Sequence, residues 1–305
     1  MPDLYYYAFT GGLVSVILAL ALSVGATFVR APVPLALTPD GSLVAVPGEN
    51  PGRVRPALFG AALFALWAAA ALFALSATGR TIVAKAPPMA DMWGYFLLMG
   101  MGISALGAWF AARYREPAIA LLVALVVSGG LLLSDTAFSA DTRPLIPALQ
   151  ANRLLTIHVS TMMLAYGLMT IAFVASSAYL LKSYIPALPG FPHPETAYRI
   201  AHQATILAFP ALTLGIALGA YWANSAWGRY WGWDPKETAS ALTWLVLAGY
   251  MHMQGLRRWR GRRAAWVLGP RLRLDRVQHV RREFLDQRAP FLRLSVLIAA
   301  WFHNR

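Results

Sequence analysis

Long apolar runs separated by short polar breaks organise this chain. Seven runs, roughly 5–29, 57–77, 92–112, 118–134, 154–181, 201–222 and 239–256, approach or reach the length of about 20 residues at which an α-helix crosses a bilayer. They continue well past residue 240, so the apolar text is more than the core of a single signal peptide. The segment Val33 to Pro56 is rich in Pro and Gly, carries Asp40, Glu49, Arg53 and Arg55, and reads as a polar loop. Ala86-Pro-Pro-Met89 reads as a turn, and the prolines between Tyr184 and Pro194 mark a connector. No internal repeat and no separate soluble domain are visible. The pattern predicts an all-α, polytopic membrane bundle of about seven transmembrane helices.

Composition supports this. Of 305 residues, 58% are hydrophobic and 13% charged, against a usual charged share of about 25%. There are no cysteines, so disulfides, thiolate metal sites and thiol exchange are excluded for this chain. Any metal ligand would be His, Met or a carboxylate, and the histidines are His158, His193, His202, His252, His279 and His303. The net charge of +13 suggests nucleic acid until it is located. Residues 1–256 carry a net of +3 and residues 257–305 a net of +10. A basic tail beside a membrane helix points to topology and lipid headgroups, and nucleic acid is not an expected partner. Arg30, Arg53, Arg55, Arg113, Arg115, Lys182, Arg199 and the Arg257–Arg263 run share one face if the N-terminus is outside. The opposite loops mix Arg80, Lys85, Arg143, Arg153, Arg229 and Lys236 with five carboxylates. By the positive-inside rule, residues 221–237 and the His158 end of the fifth helix are then extracytoplasmic, in a multi-pass protein of the plasma membrane.

Between Tyr221 and Glu237 lie Trp222, Trp227, Trp231, Trp233, Tyr221 and Tyr230. Two or three aromatics would be an interfacial belt. Six in 17 residues, spaced by Gly228 and Gly232, exceed what anchoring requires. Glycines admit close approach of a flat partner, and indole faces offer rigid stacking area. A porphyrin fits that description, with Arg229 and Lys236 placed to pair with its propionates. Asp234, Pro235 and Glu237 fit N-cap, N1 and N3 of the following helix. For Asp234, capping and ligand contact stand as equal alternatives.

The string from Trp222 to Glu237, W-A-N-S-A-W-G-R-Y-W-G-W-D-P-K-E, resembles the tryptophan-rich WWD signature of haem-handling proteins. Its D-P-K-E ending resembles the CcsA/ResC (CcsB) branch of system II cytochrome c assembly. Pro144-Leu-Ile-Pro-Ala-Leu149, Leu155-Thr-Ile-His-Val-Ser-Thr-Met-Met163 and Leu212-Thr-Leu-Gly-Ile216 are similar to that family's text before the motif. Residues 140–263 carry the resemblance, and helices one to four follow by layout. In the third helix the family often has Tyr-Glu where this chain has Trp93-Gly94.

The resemblance implies haem b as a transported substrate, a ResB/Ccs-one-type membrane partner and apocytochrome c. It implies His158 as one of two external haem-iron ligands, and His252 as a membrane histidine holding haem during passage. From the residues alone, His158 could equally be an interfacial histidine bonded to a carbonyl, and His252 a snorkelling one. His193 and His202 read as structural or solvated. Trp222, Trp227, Arg229, Tyr230, Trp231, Trp233, Asp234 and Lys236 form the expected haem platform. The implied function is a membrane subunit of a cytochrome c synthetase. The alternatives are haem delivery without ligation, or an inactive product.

That last alternative comes from the tail. Residues 1–263 form the expected membrane domain, whereas 264–305 lack the family's eighth helix and second external histidine. With suitable codons, residues 271–293 read from the second base of each codon give an apolar helix ending in Gly-Leu-His-Ser-Tyr. The tail is therefore read as out of frame from about Arg271, and His279 and His303 as accidental.

Overall fold

The computed structural model describes residues 2–29, 35–37, 43–45, 56–85, 87–138, 153–254 and 262–268. Its helices are α1 (Pro2–Phe28), α2 (Pro56–Ala84), α3 (Met92–Tyr114), α4 (Pro117–Ala137), α5 (Arg153–Tyr184), α6 (Pro194–Trp227), α7 (Pro235–Met253) and α8 (Arg262–Leu268). One 3₁₀ turn, Pro88–Ala90, precedes α3. The expected all-helical membrane architecture is borne out. One short antiparallel pair, β1 (Leu35–Leu37) with β2 (Leu43–Ala45), is an addition within the segment read as a loop.

Among the described residues, six helices, α1 to α6, are long and apolar enough to cross a membrane. α7, expected as a seventh span, has 19 residues and falls outside that set. Proline opens α4, α6 and α7 at the first turn, where its missing N–H costs nothing and its fixed φ suits the helix. Asp91 caps α3, its Oδ1 accepting from the Gly94 N–H at 2.8 Å.

Small residues line the helix contacts. α2 buries Ala62, Ala65, Leu66, Ala69, Ala70 and Phe73, the three- and four-residue spacing of one helix face. Between membrane helices the gain is packing, because lipid is as apolar as the interface, and small side chains let backbones close in. The principal core runs from Phe9 and Phe73 through Trp93, Leu97 and Phe110 to Ile171 and Ile200. A second cluster, Ala165, Ala211, Leu212 and Leu247, joins α5, α6 and α7.

Helix ends run past their apolar text. Arg80, expected in a loop, lies inside α2 and is 1% exposed. Its guanidinium forms two hydrogen bonds to the Asp91 carboxylate, at 3.1 and 2.7 Å, and lies 5.0 Å from the Trp93 ring centroid. Tyr6 and Trp93 both donate to Asp135, so α1, α2, α3 and α4 are tied at this end of the bundle. Gly94 is required there. A Cβ at that position would lie 1.7 Å from the Pro88 carbonyl oxygen and 2.5 Å from an Arg80 nitrogen. Nothing with the bulk of glutamate fits.

Candidate functional site

The Trp-rich segment is a short turn joining two long helices. α6 stops after Trp227 because Gly228 takes a left-handed φ of 70° and its N–H returns to the Asn224 carbonyl at 2.9 Å. α7 starts at Asp234, whose Oδ1 accepts from the Glu237 N–H at 2.8 Å. The Glu237 carboxylate accepts in return from the N–H of Gly232 at 2.6 Å and of Asp234 at 3.4 Å. This is the capping box read from the sequence, extended by one further bond into the loop. Asp234 is therefore a cap.

Between the two helices Trp233 holds a φ of 57°, which costs a bulky residue on the order of 1–3 kcal/mol. Its side chain is 74% exposed. The capping box over-determines the backbone on one side, and the Trp231 ring meets Trp233 edge to face at 5.7 Å on the other. Strain thus holds an indole out into its surroundings.

The aromatic side chains divide into two kinds. Trp227, Tyr230 and Trp233 offer largely exposed rings. Trp222 is 8% exposed, and its indole N–H, like that of Trp231, is buried without an acceptor among the described residues. A buried orphan donor costs about 1–3 kcal/mol, so these two N–H groups suit a guest that carries acceptors. Trp222 also meets Trp227 edge to face at 4.7 Å. The Arg229 guanidinium folds over Gly232, where an added Cβ would lie 2.8 Å from its carbon. Arg229 and Lys236 are both exposed.

His158, in the second turn of α5, packs against α6. Its Nδ1 lies 2.7 Å from the Gly215 carbonyl oxygen. A Cβ on Gly219 would stand 2.6 to 3.2 Å from three atoms of the imidazole ring, and one on Gly215 would meet the Met162 sulfur at 2.5 Å. Gly215, Gly219 and Trp222 follow one another at four and three residues, the repeat of a single α6 face. Along that face Gly219 precedes the buried Trp222 by three residues and Gly215 by seven.

His252 is elsewhere. It is exposed in the last turn of α7, 17 positions after Pro235 and so roughly 25 Å along the helix from the Trp-rich turn. The structure does not bring His158 and His252 to one centre. His193 is the N-cap of α6, its Nδ1 accepting from the Glu195 N–H at 3.4 Å.

His202 has more structure around it than its sequence context suggested. It stacks on Tyr198 one turn earlier, and its Nδ1 lies 3.3 Å from the hydroxyl of buried Tyr250 on α7. Tyr198 in turn donates to the Gln254 side chain. The four-residue spacing of Tyr198 and His202, matched by Tyr250 and Gln254, was the available signal. Gly215 and Gly219 carried none, since their role depends on a histidine 57 and 61 residues earlier.

One remaining ionisable group stands out between α3 and α4. Burial of Glu116 pushes its carboxyl up to about 7.

Comparison with known proteins places these features in context. Residues 89–269 match the model of the family described as cytochrome C assembly protein. The chain is 34% identical over 208 residues to the cytochrome c biogenesis protein CcsA of Guillardia theta, covering 57% of this chain and 69% of that one. It is 30% identical over 257 residues to the CcsA of Synechococcus sp. (strain JA-2-3B'a(2-13)), covering 62% and 72%. Among solved structures it resembles a cytochrome c heme lyase, CcmF, with a TM-score of 0.59 and 19% identity. That alignment takes in 87% of this chain and spans 44% of the lyase, so it speaks to the fold alone.

Proposed function

The chain belongs to the cytochrome c assembly protein family, a multi-pass membrane component of cytochrome c biogenesis, and from that premise we propose that it is the haem-presenting subunit of a system II cytochrome c synthetase. The substrate is haem b. The observation that carries the reading is one face of α6 that seats the His158 imidazole at Gly215 and Gly219 and carries, three residues further on, the Trp222 indole, buried with no acceptor among the described residues.

In this reading His158 supplies an axial ligand to the haem iron. The rings of Trp227, Tyr230 and Trp233 stack on the macrocycle, and the N–H groups of Trp222 and Trp231 find acceptors among the haem's polar groups. Arg229 and Lys236 pair with the propionates. Haem supplies the bond-forming chemistry at its vinyl groups, and the protein supplies position and charge. His252, at the far end of α7, serves an earlier stage of haem passage, with a ResB/Ccs-one-type subunit as partner and apocytochrome c as acceptor. The Trp-rich turn faces outward from the plasma membrane. The written tail is a shifted reading frame from about residue 271, outside the described residues, and the gene read in the other frame encodes an eighth helix with a second histidine.

Co-expression with such a partner and an apocytochrome, in a host lacking its own maturation pathway, tests the reading. Covalent haem on the cytochrome, lost in His158→Ala, is the expected result. Haem copurifying without attachment would reduce the function to delivery. Absence of both, with the frame corrected, would overturn it.

A further inference from the structure

A carbonyl oxygen can only accept, so the 2.7 Å contact between His158 Nδ1 and the Gly215 carbonyl assigns the proton to Nδ1. In the neutral ring Nε2 then carries the lone pair, and the contact to Gly215 is the one hydrogen bond of this ring among the described residues. The ring reaches that carbonyl only because position 219 has no side chain. Its Cε1, Nδ1 and Nε2 lie 2.6, 2.9 and 3.2 Å from where a Cβ would stand, and real Cβ contacts essentially never come under 3.0 Å. One turn back, Gly215 leaves room for the Met162 thioether in the same way. α6 therefore offers a slot fitted to one ring, in one orientation, with one protonation pattern.

We propose that Gly219 is a positioning residue that locks His158 in the Nδ1–H form against the Gly215 carbonyl, fixing both the direction and the donor strength of Nε2. A metal-ligating histidine whose other nitrogen is hydrogen-bonded has a set tautomer and a more basic ligand atom. Here the acceptor is a main-chain oxygen of a membrane helix, which cannot rotate away or be protonated. The lock exists before any ligand arrives, so its ordering cost is already met. A stronger donor stabilises the ferric over the ferrous iron, so the hydrogen bond also lowers the reduction potential of whatever iron His158 holds. That last consequence rests on the haem reading above; the tautomer does not.

The experiment uses the full chain in lipid nanodiscs with ¹⁵N-labelled histidine. The His158 signals are assigned by their loss in His158→Ala. Wild type should show a protonated Nδ1 and a bare Nε2. Gly219→Ala should lose that pattern, while Gly167→Ala, a packed glycine facing Leu106, keeps it. A wild-type spectrum with Nε2 protonated, or a Gly219→Ala spectrum identical to wild type, would overturn the proposal. Ferric haem is then titrated into the same samples. Gly219→Ala should weaken binding about 10-fold or more and raise the midpoint potential of the haem that remains. A locked tautomer in a chain that binds no haem would sink the haem reading and leave the lock standing. Haem bound by wild type and Gly219→Ala with equal affinity and potential would sink the role in ligation.

Discussion

Asp234 shows how far a single side chain can be assigned. Its carboxylate closes the α7 capping box with Glu237, so its first role is local. Asp234→Ala should cost about 1 kcal/mol, read as a lower midpoint of thermal unfolding in detergent. Asp234→Asn, which keeps the cap, should restore that midpoint. Glu116 gives a residue-scale prediction in pH. Its carboxyl is raised to about 7 in the folded chain from its ordinary value of 4.5, so the folded state holds more protons than the unfolded one between those values. Stability from this group is therefore complete below about pH 4.5 and lost as pH rises to about 7. Glu116→Gln removes the titration. Its unfolding midpoint should match wild type at pH 4.5 and exceed it increasingly toward pH 7, and a constant offset across that range would contradict the burial argument.

At the scale of elements, α6 and α7 form an antiparallel pair joined by polar rungs. Trp244 donates to Thr213 at 2.9 Å, His202 meets Tyr250, and Tyr198 reaches Gln254. Trp244→Phe keeps the ring against Phe209 and removes one rung, so it should cost about 1 kcal/mol. Faster hydrogen exchange confined to α7 would report it, and unchanged protection there would show the rung carries nothing.

The same elements separate what the sequence discloses from what it conceals. The capping box was legible because Asp, Pro and Glu act within four consecutive residues. The apolar runs placed the helices because lipid demands length and hydrophobicity. Helix ends overshot the runs, since Arg80 needs Asp91 and Trp93 around it to be buried, and those partners come from another helix. The His158 slot was illegible for the same reason. A glycine states nothing about the ring it admits until the fold supplies that ring.

At the scale of the whole molecule, the proposed orientation puts the Trp-rich turn outside and the connector between α5 and α6 inside. The chain contains no cysteine, so single introduced cysteines report without background. Ser225→Cys, beside the Trp-rich turn, and Ala187→Cys, in the connector between α5 and α6, are both exposed positions. In intact cells a membrane-impermeant maleimide should label position 225 and spare position 187 until the membrane is opened. The reverse pattern would invert the proposed orientation. The nucleotide sequence after codon 263 bears on completeness: a second frame encoding an apolar helix and a Gly-Leu-His-Ser-Tyr end is expected, and its absence removes the frame-shift reading.

The central claim is that His158 ligates haem iron beneath the Trp-rich turn. Its most direct test is the optical spectrum of haem held by the full chain with its partner, comparing wild type, His158→Gly, and His158→Gly supplied with imidazole. The claim predicts that the substitution abolishes the histidine-ligated spectrum and that imidazole, entering the space between α5 and Gly219, restores it. A spectrum unchanged by His158→Gly would contradict it.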